Sequence, residues 1–422
     1  MTHEDAKAAD GPVKPRALRP HADVLAYALI CAFLSSPGQT FFLAVFTVPM
    51  GESAGLGPGA MGALYMAATL GAAALLPLTG PWIDRLDLRV YTLAVLGGLA
   101  LACLAAAGAQ GAAGLGLAFL LLRLFGQGLM THTAITATVR FFHSLRGRAL
   151  AVIGLGLPLA EALTPGAGVL LIAAAGWRGA FVIIAAILVF IAAPLLMRLI
   201  WTKRDFITPV RAGDPGRSGF AAAARLLAGS RYFWMILPLL VFMPFAVTGA
   251  IFHLQLIAAD RGWAPALIAP GFLGFAAGHA LGLVIGGQAV DRFSAVRILP
   301  VMNAPFVIGL ASLALFSAPA ALFVLLALAG LSSGVVQTAV AAMWAEVYGV
   351  ANVGAIRSAA MVIMVAGTAA GPAMVGAALE AGAGAPVLAA ALVAAAFIAS
   401  ALAAFAPGAS GRKGETAEKA GH

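Results

Sequence analysis

Twelve runs of mostly apolar residues constrain this chain more than any other feature. They cover 24–50, 58–80, 91–109, 115–139, 148–173, 177–200, 233–257, 265–289, 298–317, 319–345, 352–378 and 386–407. A helix rises about 1.5 Å per residue, so a run of about 20 residues crosses a hydrocarbon layer of about 30 Å. The chain is 62% hydrophobic and 10% charged. Soluble domains hold roughly 45–50% apolar and about 25% charged residues, so the surplus apolar surface must face lipid. The expected fold is an all-α membrane protein with twelve transmembrane helices, numbered here helix 1 to helix 12 in the order of these runs.

Charge placement orients the helices. The net charge is +9 with a pI near 10.1. A nucleic-acid binder would need its basic residues on one folded face. Here they lie in short loops between apolar runs, which is the pattern that marks the cytoplasmic side of a membrane protein. All but three of the 25 Lys and Arg residues collect on one side if both termini lie there. Arg178 and Arg261 fall on the opposite side, and Arg123 lies within helix 4. The expectation is therefore a multi-pass inner-membrane protein with both termini cytoplasmic, no cleavable signal peptide and no nucleic-acid partner.

The connection 201–232 is the longest and carries Lys203, Arg204, Asp205, Arg211, Asp214, Arg217, Arg225 and Arg231. It separates an N-terminal six-helix bundle, 24–200, from a C-terminal one, 233–407. Residues 1–23 and 408–422 are expected to be cytoplasmic tails. The halves repeat at an offset of 207 positions: Pro37 with Pro244, Gly80 with Gly287, Asp84 with Asp291, Arg85 with Arg292, and Pro165 with Pro372. Parallel repeats of this kind place a binding site near the midplane between the halves.

Within this frame, Gly80-Pro-Trp-Ile-Asp84-Arg85-Leu-Asp-Leu-Arg89 between helices 2 and 3 resembles the loop signature of the major facilitator superfamily. Gly287-Gln-Ala-Val-Asp291-Arg292, with Arg297 beyond, repeats it between helices 8 and 9. Asp87 stands where the family usually has a glycine, which implies a less tight turn. Arg123-Leu-Phe-Gly126-Gln127-Gly128 is similar to the helix-4 arginine motif, with Gly and Gln exchanged. Gly154-Leu-Gly156-Leu-Pro158 with Pro165-Gly166 resembles in part the helix-5 motif of proton-linked antiporters. Phe141-Phe142, Arg146-Gly147-Arg148-Ala149 and Gly176-Trp177-Arg178 resemble the bacterial monocarboxylate and oxalate–formate branch. The intramembrane charges of the animal monocarboxylate carriers have no match, and helix 8 offers only His279. The resemblance implies the major facilitator fold and a secondary transporter of a small organic solute, such as a monocarboxylate, by alternating access. It also implies that Gly80, Asp84, Arg85, Arg89, Gly287, Asp291, Arg292 and Arg297 are latches between helices rather than ligands. Asp84 would face the N-terminus of helix 11 near Gly354, and Asp291 that of helix 5 near Arg148.

The residues themselves supply candidates for a site. Arg123 and Glu161 are the clearly intramembrane formal charges, and such charges face an interior or a cavity. They enter roughly 12 Å and 18 Å from the outer ends of helices 4 and 5, a difference of about one turn. An Arg123–Glu161 ion pair is therefore expected, either structural or as a proton and substrate switch. Pro158 and Pro165 bracket Glu161 and are expected to kink helix 5. Ser35-Ser36-Pro37-Gly38-Gln39-Thr40 interrupts helix 1 with groups suited to line a cavity. Gln39, Gln127, Thr131 on the Arg123 face, and Gln337 in helix 10 are candidate contacts. Among the helical histidines, His253 is the candidate, since helix 7 pairs with helix 1 in the repeat; His132 and His279 read as packed residues. Arg140 and Glu346 end helices 4 and 10 and are expected to bond across the cytoplasmic gate. Gly278 with Gly282, and Gly367 with Gly371, are close-packing pairs.

No phosphate-binding Gly-x-x-x-x-Gly-Lys loop occurs, which argues against ATP-driven pumping. Cys31 and Cys103 lie inside apolar runs and fit neither a disulfide framework nor a metal site. The expected chain is a monomer without cofactor, proton-coupled and not an enzyme. Drug efflux and ligand sensing on the same fold are the competing readings.

Overall fold

The structure is a computed structural model that describes residues 21–142, 145–203, 217–349 and 353–406. Most of the expected tails, and Arg204, Asp205, Arg211 and Asp214 of the linker, lie outside the described residues. Every regular element among the described residues is helical.

Among the described residues, ten helices are individually long and apolar enough to cross a membrane. One of them, Gly147–Ile200, has 54 residues. At about 1.5 Å per residue it would run to roughly 80 Å, far beyond a bilayer. It turns back at Gly176, whose φ of 69° and ψ of 169° are not helical. Helices 5 and 6 are the two arms. Helix 1 is the remaining span, divided into Ala22–Leu34, Thr40–Leu43 and Thr47–Ala54. The others are Pro58–Thr79, Leu88–Ala107, Gly111–Phe141, Arg231–Phe252, Pro265–Phe293, Ala295–Leu315, Ala320–Tyr348, Val353–Glu380 and Ala385–Ala404. This set is consistent with the twelve spans expected from the apolar runs.

The linker contributes one further helix, Arg217–Ala228, which packs against helix 11. The two bundles meet through helix 2 against helix 11 and helix 5 against helix 8. Two continuations also touch there: Thr47–Ala54 of helix 1 and Leu254–Asp260 of helix 7. These two pieces start at positions 207 apart. Val48 N–H donates to Gln255 Oε1 (3.4 Å) across that same offset, so the pseudo-twofold axis passes between them. Gln255 Nε2 adds a bond to the Val45 carbonyl (3.1 Å).

We call the end carrying the Asp84 and Asp291 loops the basic end and the opposite one the far end. Arg178 and Arg261, the two exceptions to the basic-end rule, both cap helix ends there. Arg178 donates to the Ala109 carbonyl at the end of helix 3 (3.0 Å), and Arg261 donates to the Phe316 carbonyl at the end of helix 9. Those carbonyls are repeat mates, and a cation beside each helix C-terminus complements its dipole.

Candidate functional site

Helix 1 breaks because proline follows two serines. Pro37 supplies no N–H, and Ser36–Gly38 tightens into a 3-10 turn. Ser35 Oγ donates to the Ala32 carbonyl (2.7 Å), and Gln39 Nε2 donates to Ser35 Oγ (3.1 Å). Facing the break, helix 4 widens to a π-helix over Leu122–Met130. Such stretches are rare and frequently accompany functional sites. The two irregular segments touch backbone to backbone. A Cβ on Gly38 would collide with the Leu122 carbonyl and the Gln127 nitrogen, and one on Gly126 would collide with Gly38.

That crossing fixes Arg123. Its Nη1 donates to the Gly38 carbonyl (3.0 Å), and its guanidinium lies over the Tyr65 ring at 4.9 Å. Arg123 is 2% exposed, and its Nε has no hydrogen-bond partner among the described residues. Thr131 Oγ1 on the same helix is likewise buried and unpartnered. Tyr65 in turn shares a hydrogen bond with Thr40 (2.6 Å) and packs on Phe252 of helix 7, with ring centroids 4.6 Å apart. Gln39 follows the Gly38 carbonyl that Arg123 bonds, Gln127 lies on the same π stretch as Arg123, and Tyr65 is a partner that sequence did not single out.

The expected Arg123–Glu161 pair is not formed. The broken helix 1 presents a carbonyl to Arg123, and Glu161 is engaged by the other half. Helix 5 breaks at Leu155, between Gly154 and Gly156, beside the Gly154 carbonyl that the missing N–H of Pro158 leaves free. Further along, Glu161 is buried and accepts from His279 Nδ1 of helix 8 at 2.8 Å (Oε2) and 3.1 Å (Oε1). The second ring nitrogen, Nε2, faces Gln337 Oε1 of helix 10 at 3.3 Å.

Close packing of helices 8 and 10 places that chain. A Cβ on Gly278 would strike the Ala327 carbonyl, one on Gly282 the Leu331 carbonyl, and one on Gly330 or Gly334 the backbone at Phe275 and His279. The two backbones are nearly in contact, so Gln337 comes level with His279. His279, read as a packed residue, is the group that joins the bundles at mid-membrane. The signal available in sequence was its place between Gly278 and Gly282, with Gln337 on the partner helix.

Other candidates lie elsewhere. His253 marks the break in helix 7 toward the far end and donates Nε2–H to the Pro372 carbonyl (2.8 Å) within its own half. At the basic end, Arg140 pairs with Asp84 and donates to the Ile83 carbonyl (3.0 Å). Glu346 accepts from the backbone N–H groups of Ala295 (2.8 Å) and Val296 (3.2 Å). The expected Arg140–Glu346 bond is therefore absent; each is held by the loop of its own half. Asp84 makes no hydrogen bond or ion pair with a described residue of helix 11, and a Cβ on Gly354 would meet nothing within 4 Å. Asp291 has no hydrogen-bond or ion-pair partner among the described residues. Arg292 stacks on its neighbour Phe293 at 5.1 Å. Asp87 does not loosen its turn; it caps helix 3, accepting from Arg89 N (2.8 Å) and pairing with the Arg89 guanidinium (2.7 Å). Arg89 also lies over Trp201 at 5.1 Å. Among the described residues no hydrogen bond or ion pair joins the halves at the basic end, whereas several join them at the middle and far end.

Comparison with known proteins agrees with this architecture. A family model described as Major Facilitator Superfamily matches residues 28–278. The chain belongs to the Major Facilitator Superfamily. A bacterial homologue of the human lysosomal transporter Spinster, in an inward-facing and occupied conformation, superposes with a TM-score of 0.69 at 16% identity, covering 92% of this chain and 97% of that one. The same homologue, inward-facing and unoccupied, gives 0.63 at 16% identity over 91% and 94%. A mutant of the nucleoside transporter NupG gives 0.67 at 13% identity over 90% and 98%. At these identities the likeness is one of fold. No curated protein sequence matches the chain. The superfamily membership and the membrane-spanning helices make it a multi-pass membrane transporter.

Proposed function

We propose that the chain carries a small organic anion, such as a monocarboxylate, together with a proton, by alternating access. The basic end is cytoplasmic in this reading, and the lack of hydrogen bonds between the halves there among the described residues supports a state open on that side. The observation that carries the proposal is Arg123, a buried cation whose only polar partner among the described residues is a backbone carbonyl. A guanidinium presents a planar fork of donors matched to a carboxylate. A buried charge left without a counter-charge is costly, so an anion entering beside it gains affinity.

The proton follows from counting charge. Glu161 and His279 together carry −1 without a proton between them and zero with one. The empty carrier, with Arg123 positive and the pair at −1, is neutral. The carrier holding one anion and one proton is neutral again. Either ligand alone leaves a net charge inside a low-dielectric interior, where burying charge is expensive. Such a carrier reorients with both ligands or with neither. Gln337 suits both states, because its amide offers an oxygen or an NH₂ to His279 Nε2 according to rotation.

Uptake into proteoliposomes, with and without an imposed pH gradient, tests this reading. Glu161→Gln is expected to keep substrate counterflow and lose gradient-driven accumulation, and Arg123→Lys to weaken substrate binding. Accumulation by Glu161→Gln in response to the gradient would sink the coupling role. A ligand that binds the purified protein without any flux would favour the sensor reading.

A further inference from the structure

Where helices 2 and 11 meet at the far end, their backbones are nearly in contact. A Cβ on Gly62 would run into the Pro372 carbonyl, and one on Gly376 would run into the Pro58 carbonyl. The next turn of helix 11 brings Glu380, its last residue, to the start of helix 2. Helix 2 has no cap from its own N-cap residue, Gly57. Glu380 Oε2 instead accepts from the Gly59 N–H at 3.1 Å. A carboxylate there satisfies an orphan donor and faces the positive end of the helix dipole. Asp260 makes the corresponding bond to Ala385 N at 2.7 Å, but it caps helix 12 inside the C-terminal half. Glu380 differs in one respect: the helix that it caps belongs to the opposite half.

We propose that Glu380 is a positioning residue for transport, the pin that holds the far-end gate closed along the helix 2–helix 11 seam. The glycine contacts make the seam close but supply no directional bond. Glu380 supplies one at the outermost turn, where separation of the halves must begin. Opening the far end breaks this bond and returns the carboxylate and the helix terminus to water. Losing the carboxylate therefore favours the state open at the far end without touching the central site. The inference rests on the alternating-access reading for the purpose of the gate, and on geometry alone for the gate itself.

Thiol accessibility tests it without reference to substrate. Met61 is 3% exposed and lines a cavity of about 120 Å³ at the far end, together with Glu52, Pro58 and His253. The native cysteines, Cys31 and Cys103, are buried. In a Met61→Cys background, a membrane-impermeant maleimide applied to the far side reads seam opening. Glu380→Gln is expected to raise the labelling rate about fivefold, the scale on which loss of a carboxylate at a helix N-terminus shifts a two-state balance. Gly376→Val is expected to raise it further, and Asp260→Asn to leave it unchanged. A rate within about twofold of the parent in Glu380→Gln, or an equal rise in Asp260→Asn, overturns the proposal. Labelling that responds as expected in a protein showing no flux of any solute supports the pin and counts against the transport reading instead.

Discussion

The two six-helix halves share a scaffold and differ in what they place at its centre. Position for position at the 207 offset, Pro37 answers Pro244, Asp84 answers Asp291, and Thr47–Ala54 answers Leu254–Asp260. The site residues have no such mates. Arg123 and Gln127 stand where the C-terminal half has Gly330 and Gly334; Glu161 stands where it has Thr368. His279 and Gln337 in turn stand where the N-terminal half has Ala72 and Met130. The same helix position therefore does opposite work. Gly330 and Gly334 let helix 10 lie against helix 8, while Arg123 and Gln127 accompany a widened π stretch that meets the break in helix 1. Helix 7 runs through Pro244 unbroken, because the two-serine start and the glycine that follow helix 1's course, Ser35, Ser36 and Gly38, are not repeated there. Duplication supplied the shared scaffold; divergence at a few positions supplied a buried cation in one half and a carboxylate–imidazole contact shared between both.

The strongest way to break this comparison is to exchange the roles of the mates. Gly330→Val forces side-chain carbon into the Phe275 carbonyl and the His279 nitrogen, both backbone. Overpacking of this kind costs about 1–3 kcal/mol or more, so a lower melting temperature and a poor yield of folded protein are expected in detergent. Arg123→Ala, at the mate position, is expected to retain the fold and lose substrate binding by on the order of a hundredfold, since charge-assisted hydrogen bonds contribute roughly 1.5–3 kcal/mol. Equal loss of yield in both variants would erase the distinction between scaffold and site.

The loops after helices 2 and 8 sharpen the comparison with a smaller effect. Helix 3 is capped by its own Asp87, and helix 9 by the remote Glu346 from helix 10. Asp87→Ala is expected to cost about 1 kcal/mol, the usual value of an N-cap. Bonding to the Arg89 side chain holds the Asp87 carboxyl below the usual carboxylate range. A depressed folded-state value means that the stabilisation is present above the unfolded value of about 4 and is lost as pH falls through the lower folded one. A melting profile taken from pH 6 down to pH 2 should therefore converge with that of Asp87→Ala at the acid end. Persistence of the difference at pH 2 would show that the cap does not depend on ionisation.

An effect of similar size but opposite sign is expected at Ser294, the mate of Asp87. Its φ of 75° and ψ of 151° belong to a region that side chains avoid and glycine tolerates. Asp87, with φ −55°, needs no glycine. Ser294→Gly is accordingly expected to stabilise the protein by about 1 kcal/mol, and Asp87→Gly to destabilise it. Thermal melts of the two single variants decide the matter by sign.

Much of the fold was legible because lipid imposes a length on every span. Apolar runs located the helices, and the basic residues located one end. The 207 offset located the halves. Helix 1 was readable as broken, since Ser35–Thr40 concentrates polar and helix-disrupting groups within an apolar run. Arg123 and Glu161 were readable as buried charges, and both are buried in the structure. Their partners were not readable. Two residues about one turn apart in depth on consecutive helices look like a pair. Depth, however, says nothing of rotation about the helix axis, and a π stretch changes that rotation within helix 4. Which carbonyl meets Arg123, and which imidazole meets Glu161, depends on glycine contacts between helices distant in sequence.

The sequence by itself determined the membrane class, the span positions, the six-plus-six repeat and the presence of an intramembrane cation and carboxylate. These follow from local hydrophobicity and charge, which each segment carries wherever it packs. Tertiary structure alone decided that Glu161 bonds His279 across the halves, that Arg140 and Glu346 each turn to their own loop, and that Glu380 caps a helix of the opposite bundle. Those choices depend on which backbones approach closely enough to leave a given polar group one partner, and that is a property of the assembled helices rather than of any one of them.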